Sequence, residues 1–454
     1  MERPVLILDV GGGTLRLGLA HEDVPREEPN CAAQGGKHLL FGRDVLSLPS
    51  CRLLRPSRRG LLLDSERQQR IWAAALARQD LGGLRPGDCA VLAVLAPLTP
   101  LEVQEEVVAI LEEDLGFAEV SCIESSCVAL KSPGVSAQLL ACSPSPCCTV
   151  LGLGFSASFA QPCVEGKAIA SAGRRSCVGG RILTNLLMES LKLRHLDLSK
   201  AWLTVEDIFT KTCRVATDIR LEEGEPVNYV LPDFQERLQG FVAAEVPEGA
   251  QSITLTRERC VIPEALFRPQ DHGIPAAGLA ELVHQAILAV PEMLRPHLGR
   301  VVLCGGLARL PNLPRRLRAE LRRLLPSHWP VEILLEDHPE LSVWRGAAQH
   351  ALHAGHSEAA AATPGVSGAS PSARRGRGRG KGAVSRAGSA KMPSGKSPAQ
   401  RKRPPSTISA DVEAEEDAAA LPTGAVSLGE PESTPAPRLK RISRKMSVEG
   451  KSAA

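Results

Sequence analysis

A short run near the start of the chain combines the residue types that hold a phosphate group. The residues are, in order, Asp9, Gly11, Gly12, Gly13, Thr14 and Arg16. Backbone amides in such a glycine turn can cradle a phosphate because no Cβ blocks close approach. A second glycine pair, Gly305 and Gly306, follows another apolar run in the opposite half of the chain. Two such turns predict a nucleotide site between two lobes.

The elements that must position these turns are strands mixed with helices. Apolar runs predict strands at residues 5–8, 91–95, 149–153, 301–303 and 331–335. Apolar residues at helical spacing predict helices at residues 65–76, 101–115, 179–191, 205–219, 278–288 and 313–325. This mixture indicates an α/β fold with crossover connections.

Length and cysteine usage narrow the class of protein. A chain of 454 residues can hold two lobes and a tail. No apolar run reaches the roughly 18–20 residues that span a bilayer, and residues 1–4 lead directly into a strand, so we expect no membrane contact and no signal peptide. The 13 cysteines are odd in number and scattered, which predicts reduced thiols. They lack the spacing of zinc ligands, so we expect no metal site.

The last part of the chain differs in composition from the rest. Residues 358–454 hold 17 Lys and Arg against 9 Asp and Glu, whereas the preceding residues are net acidic. Such a segment has too little apolar surface to offset its ordering entropy. We therefore predict an ordered domain at 1–357 and a disordered basic tail at 358–454. Its basic clusters are typical of nuclear import or weak contact with a phosphate backbone, although a solvated tail has the same composition.

Six segments together resemble the actin family over nearly all of residues 1–357. They are residues 9–18, 148–154, 176–187, 205–218, 257–269 and 341–346. The first two match the phosphate loops of the family, and the segment at 257–269 is highly specific to actins. The resemblance implies a two-lobed actin-like fold, shared with heat-shock chaperones and sugar kinases, with ATP or ADP as the ligand of its cleft.

The same resemblance indicates which catalytic positions this chain has lost. Gly152 stands where the family has a metal-organising aspartate, Phe155 replaces a polar residue, and Ser125 stands in the place of a water-orienting glutamine. Asp9 and Arg16 remain. Each lost polar group typically costs about 10²–10³ in rate, so we expect no enzyme activity, no catalytic residue and no required cofactor. The glycine turns then serve only as tight connections.

Within the family, the resemblance is to the nuclear actin-related proteins. It rests on residues 21–31, 59–72, 227–234 and 291–297. This implies a non-catalytic scaffold subunit of a chromatin-remodelling complex that exchanges the core histone two-A for its variant form. The implied partners are the motor ATPase of the complex, a zinc-finger companion subunit, histones and nucleosomal DNA. The implied location is the nucleus, and also the cytoplasm.

Three residues of the segment at 227–234 are candidates for contact with a partner. Tyr229, Leu231 and Phe234 are apolar or aromatic anchors of the kind that dominate interfaces. Tyr229 is also the only tyrosine of the chain. The alternative is that the three side chains belong to the core of a strand and turn.

Two other functions stay open at this point. The stretch between Leu40 and Arg59 is shorter than in conventional actin, which argues against self-polymerisation but is compatible with a cytoskeletal subunit at a filament end. The run at residues 9–14 also resembles the opening of sugar and acetate kinases. Gly152 argues against a kinase, because such enzymes need a catalytic carboxylate in the cleft.

Overall fold

The structure, a computed structural model, describes residues 3–35, 38–58, 60–79, 83–142, 147–219 and 224–354. The predicted tail at 358–454 lies outside the described residues, and the boundary at residue 357 stays a prediction. The described residues form two lobes, and each lobe has a central sheet of its own. Both sheets mix parallel and antiparallel strands, as expected for an α/β fold.

The first lobe has one central sheet and two small outer ones among its described residues. Its strands are β1 (Val5–Val10), β2 (Thr14–Leu19), β3 (Arg26–Pro29), β4 (Ala32–Gly35), β5 (His38–Phe41), β6 (Leu53–Leu54), β7 (Ser57–Arg58), β8 (Leu61–Leu62), β9 (Ala90–Leu95) and β10 (Glu119–Glu124). The central sheet has the order β10-β9-β1-β2-β3, and the outer sheets are β5-β4-β6 and β7-β8.

The second lobe repeats the plan of the first. Its strands are β11 (Cys147–Leu153), β12 (Ser158–Val164), β13 (Lys167–Ala168), β14 (Arg174–Ser176), β15 (Val227–Val230), β16 (Phe241–Ala243), β17 (Ser252–Leu255), β18 (Arg300–Cys304) and β19 (Glu332–Leu334). The central sheet is β13-β12-β11-β18-β19, with β14 beside β12, and β16-β15-β17 is an outer sheet. In both lobes, an antiparallel hairpin is extended by two parallel strands, which places the two hairpin turns in equivalent positions.

Helices flank both sheets. They are α1 (Ser65–Arg78), α2 (Leu101–Ala109), α3 (Ser125–Ala129), α4 (Pro133–Cys142), α5 (Gly180–Arg194), α6 (Trp202–Thr212), α7 (Glu258–Glu264), α8 (Leu279–Leu288), α9 (Leu313–Leu324) and α10 (Ser342–Ala354). The helix predicted at 205–219 was wrong in its extent, because it begins at Trp202 and ends where Cys213 becomes extended. None of these helices is long and apolar enough to cross a membrane.

One apolar cluster joins the two lobes at the base of the cleft. It takes Ile7 and Leu92 from the first central sheet, Val150 and Val302 from the second, and Trp344 from α10. All five side chains are buried, four of them almost completely. Each such side chain contributes roughly 1.5–3 kcal/mol by leaving water. This shared core fixes the two hairpin turns opposite each other.

Candidate functional site

The two hairpin turns face each other across the cleft and are in direct contact. The turn after β1 contains Gly12 and Gly13, and the turn after β11 contains Phe155 and Ser156. A Cβ on Gly12 would lie 2.0 Å from Ser156 Oγ, and a Cβ on Gly13 would lie 2.6 Å from Phe155 Cγ. Only glycine allows the turns to meet this closely. The Phe155 ring packs against the first turn at Gly13.

A second aromatic ring fills the place of the missing carboxylate. A Cβ on Gly152 would lie 2.0 Å from Cζ of Phe159, which is its cross-strand partner on β12. An aspartate therefore has no room at position 152 unless Phe159 moves. Ser125, in the place of the water-orienting glutamine, is buried, and its hydroxyl has no hydrogen-bond partner in the described structure.

The charged groups of the first turn are engaged with each other. Asp9 and Arg16 are cross-strand partners, with 3.6 Å between Asp9 Oδ2 and Arg16 Nη1. Arg16 Nε also donates to Glu27 Oε1 at 2.7 Å. Burial raises the pKa of Asp9, although the Arg16 cation opposes this shift. The side chains of Asp9 and Arg16 are thus paired with groups of the protein itself.

The backbone of the first turn is satisfied from within the protein. The Asn30 side chain donates to the Gly11 carbonyl at 2.8 Å, and the Asn30 amide donates to the Gly13 carbonyl at 2.8 Å. The Gln68 side chain in turn donates to Asn30 Oδ1 at 3.0 Å. Thr14 begins β2 immediately after this turn. Asn30 and Gln68 lie in two of the segments that carry the family resemblance, but the sequence assigned neither of them a role in this turn.

The second glycine pair also serves as a connection. Gly305 has a φ of 96°, and its amide donates to the Pro339 carbonyl at 2.8 Å. The chain then enters a short 3-10 helix at Gly306–Arg309. The Gly305 amide, which could have faced a phosphate, is used by the fold.

Arg55 crosses the cleft and connects the lobes. Its Cζ lies 4.3 Å from the Phe155 ring centre and 4.8 Å from that of Trp202, and the two rings meet edge to face at 5.5 Å. Its Nη1 donates to the Gly13 carbonyl at 3.3 Å, while Nη2 lies 3.5 Å from Glu206 Oε2. Burial raises the pKa of Glu206, and the Arg55 cation opposes that shift. A partly desolvated cation over aromatic rings contributes about 1–2 kcal/mol.

Further contacts tie the lobes at the mouth of the cleft. The Cys51 amide of the first lobe donates to the Lys200 carbonyl of the second at 2.8 Å. Leu203 of α6 packs against the small apolar cluster around Ala33 and Val45. The cleft is therefore held closed by the protein's own groups. Arg55 and Trp202, the centre of this arrangement, were not found from the sequence, because nothing distinguishes them locally in an arginine-rich chain.

The candidate partner residues divide between the core and the surface. Tyr229 is fully buried in β15 and donates its hydroxyl to the Asp207 side chain, so it cannot contact a partner in this conformation. Leu231 is half-buried and packs against the core of the second lobe. Phe234 is also half-buried and lines a small cavity at the mouth of the cleft, beside Leu238, which is 48 % exposed. Phe234 and Leu231 stay candidates for contact with a partner, whereas the burial of Tyr229 excludes it from this set.

The described residues bring together no cluster of three His, Cys, Asp or Glu side chains that could hold a metal ion. The 13 cysteines all lie among these residues, and none of them forms a disulfide bond. The cleft between the two hairpin turns is therefore the feature that defines the class of protein. Its two lobes, matched turns and shared base describe an actin-type fold in which Phe155 and Ser156 pack against the glycines of the first turn.

Comparison with known proteins supports this class directly. The family model described as Actin matches residues 1–208 and 200–359. The chain therefore belongs to the actin family, and the resemblance stated from the sequence is confirmed.

The most informative relatives share one name. The chain is 30 % identical to actin-related protein 6 of Oryza sativa subsp. indica, over 75 % of this chain and 91 % of the rice protein. It is also 30 % identical to actin-related protein 6 of Arabidopsis thaliana, over the same shares of both chains. Actin-related protein 6 of Drosophila melanogaster is 28 % identical, over 76 % of this chain and 92 % of the fly protein. Within the actin family, the similarity is thus to actin-related protein 6.

Proposed function

We propose that this protein is a non-catalytic structural subunit of a nuclear chromatin-remodelling complex that exchanges the core histone two-A for its variant form. The non-catalytic part rests on one observation, the filling of the cleft by Phe155 and Phe159. With these rings in place, the positions that would hold a phosphate and its metal ion belong to the protein itself. The subunit therefore requires neither ATP nor ADP.

The scaffold part of the proposal is supported by the family and by the closed lobes. Similarity to actin-related protein 6 selects the branch of the family. A body that stays closed without a ligand offers partners a constant surface. Its proposed partners are the motor ATPase, a zinc-finger companion subunit, histones and nucleosomal DNA, and its proposed location is the nucleus, with a cytoplasmic pool.

Purification of the protein with its partners tests this proposal. The full chain is tagged at Met1, expressed at its normal level and isolated from nuclei at moderate salt, and its partners are identified by mass spectrometry. We expect a remodelling motor, a zinc-finger protein and histones. A tagged conventional actin, treated identically, controls for abundant cytoskeletal contaminants. Recovery of filament-end proteins instead would replace the proposal by the cytoskeletal alternative.

A filament assay tests the expectation that the chain does not polymerise. The stretch between β5 and β6 is short, and it forms a 3-10 helix at Gly42–Ser47. We expect the protein to remain in the supernatant after high-speed centrifugation under salt and magnesium conditions that polymerise conventional actin. Sedimentation of the protein alone would contradict this part of the proposal.

A further inference from the structure

Helix α9 carries a concentration of positive charge that the rest of the domain lacks. Its 12 residues hold five arginines and one glutamate, although the chain outside the basic tail is net acidic. Leu313, Leu317 and Leu321 bury one side of the helix in the core of the second lobe. Arg316 lies on this side too, with its Nη2 2.8 Å from Glu264 Oε1.

Three other arginines form a stripe on the opposite side of α9. Arg315, Arg318 and Arg322 are three and four residues apart, so their side chains leave the helix within about 60° of one another. All three are exposed. At a rise of about 1.5 Å per residue, this α9 arginine stripe is about 10 Å long. The small side chain of Ala319 lies beside it and does not cover it.

The charge of the stripe is not neutralised by a carboxylate among the described residues. Its first two arginines make no ion pair in this part of the chain. Arg322 donates to the carbonyls of Pro326 and Trp329 at 2.5 and 2.7 Å, which hold the guanidinium without removing its charge. Glu320, the only acid of the helix, pairs with Arg316 at 2.8 Å and with Arg323 at 3.2 Å, and with no arginine of the stripe.

This arrangement is unfavourable for a helix that faces only water. Like charges three or four residues apart destabilise a helix by about 0.2–0.5 kcal/mol per pair. Arg315 also lies in the first turn of α9, where the helix macrodipole is already positive and favours an anion. A polyanion laid along the stripe would remove both penalties. Guanidinium groups bind phosphate oxygens in a bidentate geometry.

We propose that the α9 arginine stripe binds the phosphate backbone of duplex DNA. Its length of about 10 Å corresponds to about three nucleotides of one strand, at 3.4 Å each. An exposed stripe of arginines on a helix makes contacts that fix position on the duplex and carry no sequence preference. The inference rests on the proposed function in one respect, since it names the DNA-facing surface of the proposed chromatin subunit.

Salt-dependent DNA binding by the full chain tests this inference. We compare the wild type with Arg315→Gln/Arg318→Gln, using fluorescence anisotropy of a short duplex of mixed sequence between about 50 and 200 mM salt. Each lost phosphate contact lowers the slope of log affinity against log salt by about 0.9. For the double variant, we expect the slope of log affinity against log salt to be smaller in magnitude by about two. We also expect it to bind the duplex about tenfold more weakly. Arg322 is left intact, because it also holds the loop after α9.

Two further variants separate the stripe from general charge. Arg43→Gln/Arg58→Gln removes two exposed arginines of the first lobe, so the net charge matches, and it should bind as the wild type does. Arg315→Lys/Arg318→Lys keeps both charges and should keep the slope. An unchanged slope in the glutamine double variant, or an equal loss in the first-lobe control, would overturn the inference.

An acidic polypeptide is the competing occupant. Polyglutamate binding that falls in the stripe variant, while DNA binding stays at the wild-type level, would also overturn the inference. Because these assays use the isolated protein and bare DNA, their failure does not affect the co-purification test. Conversely, DNA binding through the stripe does not depend on recovery of a remodelling motor. Circular dichroism of each variant shows that the fold is retained.

Discussion

Single residues account for the aromatic packing in the cleft. Gly152 and Phe159 are one coupled replacement, because the ring occupies the space that a side chain at position 152 would need. The Phe155 ring occupies the space that a side chain at Gly13 would need. Arg55 of the first lobe packs over the Phe155 ring. That Gly152 stands where the family has an aspartate stays an expectation from the resemblance. The contact of Gly152 with the Phe159 ring could not be predicted, because cross-strand neighbours depend on register.

Removal of Arg55 should open the cleft and weaken the fold. Arg55→Ala deletes the contacts with two rings and leaves Glu206 unpaired, so we expect a loss of roughly 1–3 kcal/mol in the free energy of unfolding. Arg55→Lys keeps the charge but loses the planar guanidinium that stacks on the rings. Its free energy of unfolding should lie between those of the wild type and Arg55→Ala. Urea denaturation measures both, with the exposed Arg58→Ala as control. A urea midpoint of Arg55→Ala equal to that of the wild type would show that the contacts of Arg55 between the lobes contribute nothing to stability.

Asp9 predicts a definite pH dependence of stability. Because burial raises its pKa, the folded protein holds the proton more tightly than the unfolded chain does. The contribution of protonated Asp9 to the stability of the folded state is fully present below the ordinary pKa of 3.8. It is lost as the pH rises through the pKa of Asp9 in the folded protein. Asp9→Asn stays uncharged, so the variant should melt above the wild type at pH 7.

The pH series supplies the control for this prediction. The difference in melting temperature between Asp9→Asn and the wild type should shrink as the pH approaches 4. Lower stability of the variant at pH 7 would indicate that the 3.6 Å contact with Arg16 outweighs the cost of burial.

At the scale of elements, the central feature is the contact between two β-hairpins from different lobes. The strands that carry these hairpins were predictable, because β1, β11 and β18 are apolar runs that a parallel or buried strand requires. The helix α10 was missed, since its apolar residues pack on several sides between the sheets. The approach of the two turns could not be predicted, because it depends on how the lobes share a core.

A double-mutant cycle measures the contact between the hairpins. Gly13→Ala forces its Cβ against Phe155 and should cost about 1–3 kcal/mol of unfolding free energy. Phe155→Ala leaves a cavity and should cost about 2–4 kcal/mol. In the Phe155→Ala background, the cost of Gly13→Ala should largely disappear, because the ring that it meets is gone. Additive costs would mean that the turns do not meet as described. Gly306→Ala, whose Cβ meets no atom within 4 Å, controls for the effect of a methyl group at a glycine that, like Gly13, has no positive φ.

At the scale of the whole molecule, the two lobes are joined by the protein's own groups. The lobes share an apolar base and are bridged by Arg55 and by the Cys51 amide. Family and fold class were predictable from motifs in the chain. The bridges were not, because they join residues far apart in sequence and follow no spacing rule.

Nucleotides should therefore leave the stability of the protein unchanged. A ligand that binds only the folded state raises the melting temperature by mass action. We expect no shift with magnesium and ATP, or with ADP, at concentrations that stabilise conventional actin measured in parallel. A concentration-dependent rise in melting temperature would show that a nucleotide displaces Phe155 and would reject the filled cleft.

The ring of Phe155 has a consequence for timing. A subunit that binds and hydrolyses a nucleotide changes conformation with time after binding. Its conformation therefore records how long ago the nucleotide was bound. If its cleft holds no nucleotide, as we propose, this protein keeps no such record of time. We then expect the timing of assembly and release in a complex that contains it to be set by another subunit.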